Sequence, residues 1–532
     1  VRSWMTLLGT ALAAILGLTL VSPTAATAAT PGFTVSYQTI LGDGGTPIRA
    51  FVVQPTGRGD GPFPVLVMPS SWGVLDIEYV GAAAKLAYES GYVVVSYTSR
   101  GFWDSGGQIE VAGAPDIADA SKVIDWALAN TKADPAKIGM GGISYGAGIS
   151  LLTSAADRRV KAVAALSGWT DLIASMYPNT TVNEQGAALL LALGNLTGRP
   201  GADLKSIQND YLANDFAHAL PLAATRSAAN RIDAINANHP AIMLGNAWED
   251  SFFPPSQLTD FYQKLTGPKR LMLSPGDHAT PELFGAAGLP NDIWASAGRW
   301  FDHYLRGVDN GIDRESPVSL KPANGGDWRG FPDWPSVSAQ QSTRYLGKPV
   351  SQFFVDPPTG ALGAAPAGNW NYRINAGWPT IAESGTAFVA GTLQGFLNVP
   401  TGVSVPFIDR GAAGVWSSPD YPTATTVSGA PRLHVTVTPS AANTSLFGYL
   451  YDVDAIGLGS LITHKPISLR DAKPGVAQAV DLALEPIYWN VPAGHHLVLA
   501  VDTMDARYRS TSTIGSTVSF SSPAADPSWL RF

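Results

Sequence analysis

The chain contains no cysteine. That absence excludes disulfides, thiolate nucleophiles, thiolate zinc sites and iron–sulfur clusters together. A covalent nucleophile therefore has to be Ser, Thr, Lys or a carboxylate. Charge is also scarce. Asp, Glu, Lys and Arg make up 14% of the 532 residues, where about 25% is usual in soluble proteins. What charge there is tilts acidic, with a formal net charge of −8, which argues against nucleic acid as a partner and against a polybasic membrane-binding surface. Histidine occupies only eight positions, so the search for a general base is short. Beyond one N-terminal stretch, no apolar run approaches the ~18 residues of a membrane span.

What is abundant is core and turn material. Hydrophobic residues are 45%, with 55 Gly and 40 Pro. This suits several domains at roughly 150 residues each, with many turns and much β structure. At the N-terminus, a short basic start leads into the apolar run Met5–Val21 and then Ala26-Thr27-Ala28. This reads as a signal peptide over residues 1–28, and the expected location is secreted, with no membrane attachment after cleavage. A retained anchor is the rival reading, weakened by a run that is short and ends in small residues.

From residue 29 to about 320, strands and helices alternate. Short apolar or β-branched runs at Phe33–Ile40, Ile48–Gln54, Pro64–Pro69, Tyr92–Thr98, Lys137–Ile143, Lys161–Ser167, Pro240–Gly245 and Arg270–Ser274 predict strands. Glu78–Ser90, closed by Gly91, and Asp116–Asn130 have helical spacing. The rhythm predicts an α/β fold with a doubly wound sheet covered on both faces. Residues 170–238 lack strand patterning and predict a helical cap insertion. From 321 to 532, short alternating stretches such as Arg432–Thr438, Leu446–Val453, Leu461–Leu469, Val480–Leu484 and His496–Asp502 predict an all-β sandwich or jelly roll.

The chemistry concentrates at Gly142-Ile143-Ser144-Tyr145-Gly146. This G-x-S-x-G follows an apolar strand and precedes a small-residue helix, the setting of a strained nucleophile turn. Ser144 is the expected nucleophile, and the N–H of Tyr145 an expected oxyanion donor. Of the histidines, His278 alone directly follows a sheet strand, and it comes after Ser144 in order, which makes it the expected base. The acid should follow the preceding strand. Glu249 and Asp250 both stand there; Asp250 is preferred, with Glu249 its rival or a substrate-facing carboxylate, and Asp171 a more distant candidate. Asp452-Val453-Asp454 reads as loop acids rather than a calcium site.

With these residues placed, the chain resembles the α/β-hydrolases of the X-prolyl dipeptidyl-peptidase and cocaine-esterase family. The likeness is carried by Gly142–Gly146, Ser167-Gly-Trp-Thr-Asp-Leu172, Trp248-Glu-Asp250, His278 after its strand, Trp300-Phe-Asp-His-Tyr-Leu-Arg-Gly307 and the segment from Arg100-Gly101 to Ser105-Gly106-Gly107. The resemblance implies a triad of Ser144, Asp250 and His278, a cap after the sixth hydrolase strand and a C-terminal jelly roll. No cofactor and no metal are expected. Members commonly place a Tyr hydroxyl as second oxyanion donor just after the third strand. Here Pro69-Ser70-Ser71-Trp72-Gly73 has no Tyr, leaving the Trp72 indole, a Ser hydroxyl or a backbone N–H.

The expected reaction is acyl transfer to water through an acyl-serine, on a small-molecule or short-peptide substrate. Dipeptides released after Pro head the list, and small acyl or amino-acid esters are the alternative. A dipeptidyl-peptidase needs a group for the free amine; Glu249, Asp171 and Asp104 are candidates. A secreted acyltransferase with the same triad and a non-catalytic glycan-binding surface protein are the other open readings. Oligomeric state is not encoded in any of these features.

Overall fold

The structure, a computed structural model, describes residues 32–351 and 356–532. The signal-peptide reading over residues 1–28 falls outside the described residues.

The N-terminal half is built on β1 (Phe33–Leu41), β2 (Pro47–Pro55), β3 (Phe63–Pro69), β4 (Val93–Tyr97), β5 (Ala133–Ile143), β6 (Val160–Leu166), β7 (Ala241–Ala247), β8 (Lys269–Ser274), β9 (Val318–Leu320) and β10 (Arg329–Phe331). They form one sheet in the order β1-β2-β4-β3-β5-β6-β7-β8-β9-β10. From β4 to β9 every neighbouring pair is parallel, while β1, β2 and β10 join antiparallel at the edges. Every residue of β4 and β7 is buried. That is why these strands read as unbroken apolar runs: helices cover both faces of a parallel sheet.

The helices Ala114–Asn130 and Tyr145–Ala156 pack on one face and Asp292–Arg306 on the other. The last buries Ile293, Ser296, Ala297, Trp300, Phe301 and Leu305, a stripe at helical spacing. Asn291 caps its start by accepting from Trp294 N at 3.0 Å, and Gly307 ends it at φ 70°. Between β6 and β7 the described chain contains helices and no strand, including Glu184–Thr197, Ala202–Ala213 and Ala219–Thr225. They form the cap.

Sheet order decides where a site can form. The chain leaves β3 for β4 on one side, then crosses back to β5 on the other. The C-terminal ends of β3 and β5 therefore open onto a crevice, the usual ligand position in such sheets.

The remaining strands form a C-terminal all-β domain. Most of its pairings are antiparallel, including Arg432–Pro439 with Gln478–Ala483 and Thr444–Val453 with both Leu458–Leu469 and His496–Asp502. Two features were not legible in the sequence. The hydrolase sheet runs on to Phe331, past the expected domain boundary at residue 320, because three-residue strands are too short to show a period. The β-rich half also contains a helix, Ala390–Leu397, pressed against the loop after β8. A Cβ on Gly391 would meet Gly276 O at 2.9 Å, and one on Gly395 would meet Gly276 Cα at 2.7 Å.

The Arg100–Gly107 segment is held by a buried ion pair. Arg100 Nε and Nη2 donate to the two Asp119 oxygens at 2.6 and 2.7 Å, and Asp119 Oδ1 also accepts from Asp43 N at 2.7 Å. Arg100→Met would strand this carboxylate in the core. The expected loss is about 3–5 kcal/mol, read as a lower midpoint in urea unfolding. An unchanged midpoint would show that the pair is not holding the loop.

Candidate active site

Ser144 sits at the turn between β5 and the helix Tyr145–Ala156, with φ 56° and ψ −116°. A non-glycine residue is strained there, and the surroundings hold it in place. A Cβ on Gly146 would lie 2.0 Å from Pro69 O, and one on Gly142 would lie 3.0 Å from both Pro69 O and Gly146 C. The two glycines are thus required by the close approach of the end of β3 to the turn. Ser71 Oγ, on the β3 side, lies 3.0 Å from Ile143 O, so the two segments sit against each other.

His278 follows β8 and Asp250 follows β7. Ser144 Oγ donates to His278 Nε2 at 2.8 Å, and His278 Nδ1 donates to Asp250 Oδ2 at 3.0 Å. An ionised carboxylate only accepts, so Asp250 fixes the proton on Nδ1 and leaves Nε2 free to accept. Asp250 Oδ1 accepts from Phe252 N at 2.9 Å and Phe253 N at 2.8 Å, which locks the carboxylate in its own turn. All three side chains are buried: Ser144 is 5% exposed, Asp250 1% and His278 4%. Burial pulls the imidazole toward its neutral form, but Asp250, then Asp277 and Glu282, oppose it, and the net direction is up.

Two more carboxyls lie under the histidine. Asp277 Oδ1 accepts from Ser251 N at 2.8 Å and His278 N at 2.7 Å, tying the acid loop to the base loop. Burial raises it, as burial raises Glu282 to about 7. Glu282 Oε2 accepts from Ser167 Oγ at 3.0 Å. On the β3 side, Glu78 accepts from Ser71 N at 2.7 Å and Ser71 Oγ at 2.6 Å, and burial lifts it to about 7.

The Tyr145 N–H opens the helix after Ser144 and has no acceptor among the described residues. Its phenol is occupied elsewhere: the hydroxyl accepts from Ala112 N at 2.5 Å and donates to Asp116 at 3.3 Å. Trp72 corrects an expectation. Its indole N–H does not serve an oxyanion, because it donates to Leu190 O at 3.0 Å and so fastens the β3 loop to the cap. The Trp72 backbone N–H, by contrast, has no acceptor among the described residues. Glu249 is a second correction. It does not line the cavity that contains Ser144. It lines a smaller one on the far side of the acid loop, together with Asp250, His464, Arg507 and Tyr508. Burial, then repulsion from Asp277, raises Glu249 to about 8. Asp171, the other candidate, caps the next helix by accepting from Ile173 N at 2.9 Å and Ala174 N at 3.0 Å.

Sequence reasoning missed two residues from the C-terminal domain. Phe388, at φ 69°, packs its ring 5.5 Å from Phe252 and 6.1 Å from His278. Arg507 is 5% exposed and places Nη2 3.5 Å from Asp250 O, with its charge facing Asp277, Asp505 and Glu249. No local signal marks either residue. Each acts on a loop more than a hundred positions away.

The cavity at Ser144 lies between the sheet and the cap, and no acidic side chain lines it. Among the described residues, no group of three His, Asp or Glu side chains is disposed to hold a metal ion. Asp452 is engaged within the C-terminal domain, accepting from His495 Nδ1 at 2.8 Å and Trp489 Nε1 at 2.9 Å.

This arrangement can be set beside known proteins. Residues 43–280 match the family model of the X-Pro dipeptidyl-peptidase (S15 family), and residues 310–519 match that of the X-Pro dipeptidyl-peptidase C-terminal non-catalytic domain. The chain belongs to this family. An uncharacterised protein of Pseudomonas aeruginosa is 25% identical over 274 residues, covering 47% of this chain and 70% of that protein. The quorum-quenching protein AidA of Acinetobacter baumannii is 30% identical over 142 residues, or 25% of this chain and 46% of AidA. Among solved structures, an α-amino acid ester hydrolase superposes with a TM-score of 0.69 at 15% identity, over 96% of this chain and 98% of that one. A CocE/NonD family hydrolase from Staphylococcus aureus gives 0.70 at 13%, over 96% and 99%. These two share the fold. For this S15-family chain, then, the match spans both the α/β and the all-β domain.

Two outcomes follow from the geometry. Only neutral His278 can take a proton, so hydrolytic kcat/KM should rise with pH through a limb centred above the ordinary histidine value of ~6.5. A limb at or below that value would show that the surrounding carboxylates do not act on His278. Arg507→Met should leave the acid loop without its buried cation and lower kcat by about 10- to 100-fold through misplacement, with Arg507→Lys partly restoring it. Full kcat in Arg507→Met would assign that arginine to packing alone.

Proposed function

We propose that the protein is a serine hydrolase that cleaves esters through an acyl-Ser144 intermediate. The observation that carries the reading is the hydrogen-bonded line Ser144 Oγ, His278 Nε2 and Nδ1, Asp250. His278 takes the Ser144 proton as Oγ attacks the carbonyl, and Asp250 stabilises the imidazolium that results. The Tyr145 N–H, with the Trp72 backbone N–H as second donor, receives the charge on the carbonyl oxygen. His278 then gives its proton to the leaving alcohol. Water, deprotonated by the same imidazole, releases the acid.

Within a family that includes peptidases and ester hydrolases, the ester reading is preferred over release of X-Pro dipeptides. A dipeptidyl-peptidase has to hold a desolvated ammonium, which is costly without an anionic partner. The cavity at Ser144 has no acidic lining residue, Glu249 lines a separate cavity, and Asp171 is committed to a helix cap. The N-terminal run Met5–Val21 with Ala26-Thr27-Ala28 supports action outside the cell.

A fluorophosphonate probe should label the wild type, and Ser144→Ala should lose labelling and about 10⁶-fold in kcat. Nitrophenyl acetate should be turned over while Ala-Pro anilide is not. No labelling of the wild type would sink the serine-hydrolase reading. Efficient anilide cleavage that needs a free N-terminus would replace the ester reading with the peptidase one.

A further inference from the structure

The cavity at Ser144 runs from the nucleophile up beneath the cap helices. Its lining is almost wholly apolar. Apart from Ser144, the polar atoms on its wall are mostly turned into the protein. The indole N–H of Trp72 donates to Leu190 O at 3.0 Å and that of Trp169 to Arg226 O at 2.7 Å. The Tyr211 hydroxyl donates to Glu184 at 2.6 Å, and the Tyr145 hydroxyl is held by Ala112 and Asp116. Arg226 is the one charged lining residue, and it is paired with Asp203. What faces the space is hydrocarbon.

The cap explains why. Its helices present Leu190, Leu191, Ile207, Leu220 and Leu222 to the cavity, and all five are only half-buried. Leucines on the inward side of a helix normally finish in a core. Here they line a cavity, so an apolar group placed there would be stabilised by burial against them. A charged or strongly polar substituent would lose its water there and gain no partner. A short acyl group at Ser144 would leave the cap leucines untouched.

On the ester-hydrolase reading above, we propose that the substrate is an ester bearing a long alkyl chain, which the cap holds in this cavity while Ser144 attacks the carbonyl. Leu190 joins the two parts: it lines the chain site, and its carbonyl fixes the Trp72 loop beside the nucleophile.

Two series of esters test the proposal at concentrations where they stay monomeric. One extends the acyl group of a nitrophenyl ester from acetyl to dodecanoyl. The other extends the alcohol of an acetate ester from ethyl to dodecyl. In one of them kcat/KM should rise about fourfold per methylene, the ~0.8 kcal/mol of a buried CH₂, until the cavity is full. A rise in the first places the chain on the acid and a rise in the second on the alcohol; either supports the proposal. Flat or falling kcat/KM in both, with the acetyl ester turned over, overturns it and leaves the hydrolase reading intact. No turnover of any ester and no fluorophosphonate labelling sinks both. Ala187→Trp and Ala223→Trp should fill the space and reduce the ratio of long-chain to acetyl kcat/KM at least about tenfold, with active sites counted by fluorophosphonate titration so that misfolded protein does not enter the ratio. An unchanged ratio in both variants, at full titre, also overturns the proposal.

Discussion

The carbonyl of Pro69 sets the geometry around which the site is arranged. It lies where a Cβ on Gly146 would be, 2.0 Å from that ideal position, so β3 and the turn after β5 can meet only if the turn is lined with glycine. That contact keeps Ser144 at φ 56° and brings the Ser71–Trp72 loop beside the nucleophile. The strain at one serine is small against the burial of two central strands and the helix Tyr145–Ala156. The strain therefore persists in the fold, and the Oγ stays aimed at His278.

Around this turn, three strand ends and the C-terminal domain supply the groups. β5 brings Ser144, β7 brings Asp250, β8 brings His278, and the C-terminal domain brings Phe388 and Arg507 to the last two. The domain whose family description is non-catalytic thus touches the catalytic loops at the level of side chains. The clustering of Asp250, Asp277, Glu249 and Glu282 in a buried region would be self-repelling in isolation. Arg507 offsets part of it, and burial raises Glu249 to about 8 and Glu282 to about 7, which weakens the charge each carries.

The division between polar and apolar space is equally sharp. Behind Asp250 the small cavity is lined by Glu249, His464 and Arg507, whereas in front of Ser144 the cap presents leucine and isoleucine. Reaction chemistry and chain recognition can therefore be carried by different elements, the strand ends for the first and the cap helices for the second.

Much of this was legible in the sequence, for definite reasons. Buried parallel strands are continuous apolar runs, so β3 to β8 could be read to within a few residues. A nucleophile turn has to be glycine-rich and to follow a strand, so Ser144 could be named. Asp250 and His278 stand directly after strands, so their order and position were readable, and the structure brings both within hydrogen-bond distance along one line. Side-chain direction was not readable. Trp72 had an indole N–H available in the sequence, and only the packed cap shows that Leu190 takes it. Glu249 and Asp250 are neighbours in the chain, and only the backbone path after β7 turns one toward His278 and the other toward Arg507. Phe388 and Arg507 carry no local pattern at all, since contacts between residues more than a hundred apart are set by how the two domains pack. The sequence by itself determined the strands, the glycine turn and the kind of nucleophile, because these follow from local sterics and periodicity. Only the tertiary structure decided which polar atoms remain free and what fills the space above Ser144, because both depend on which distant surfaces exclude water together.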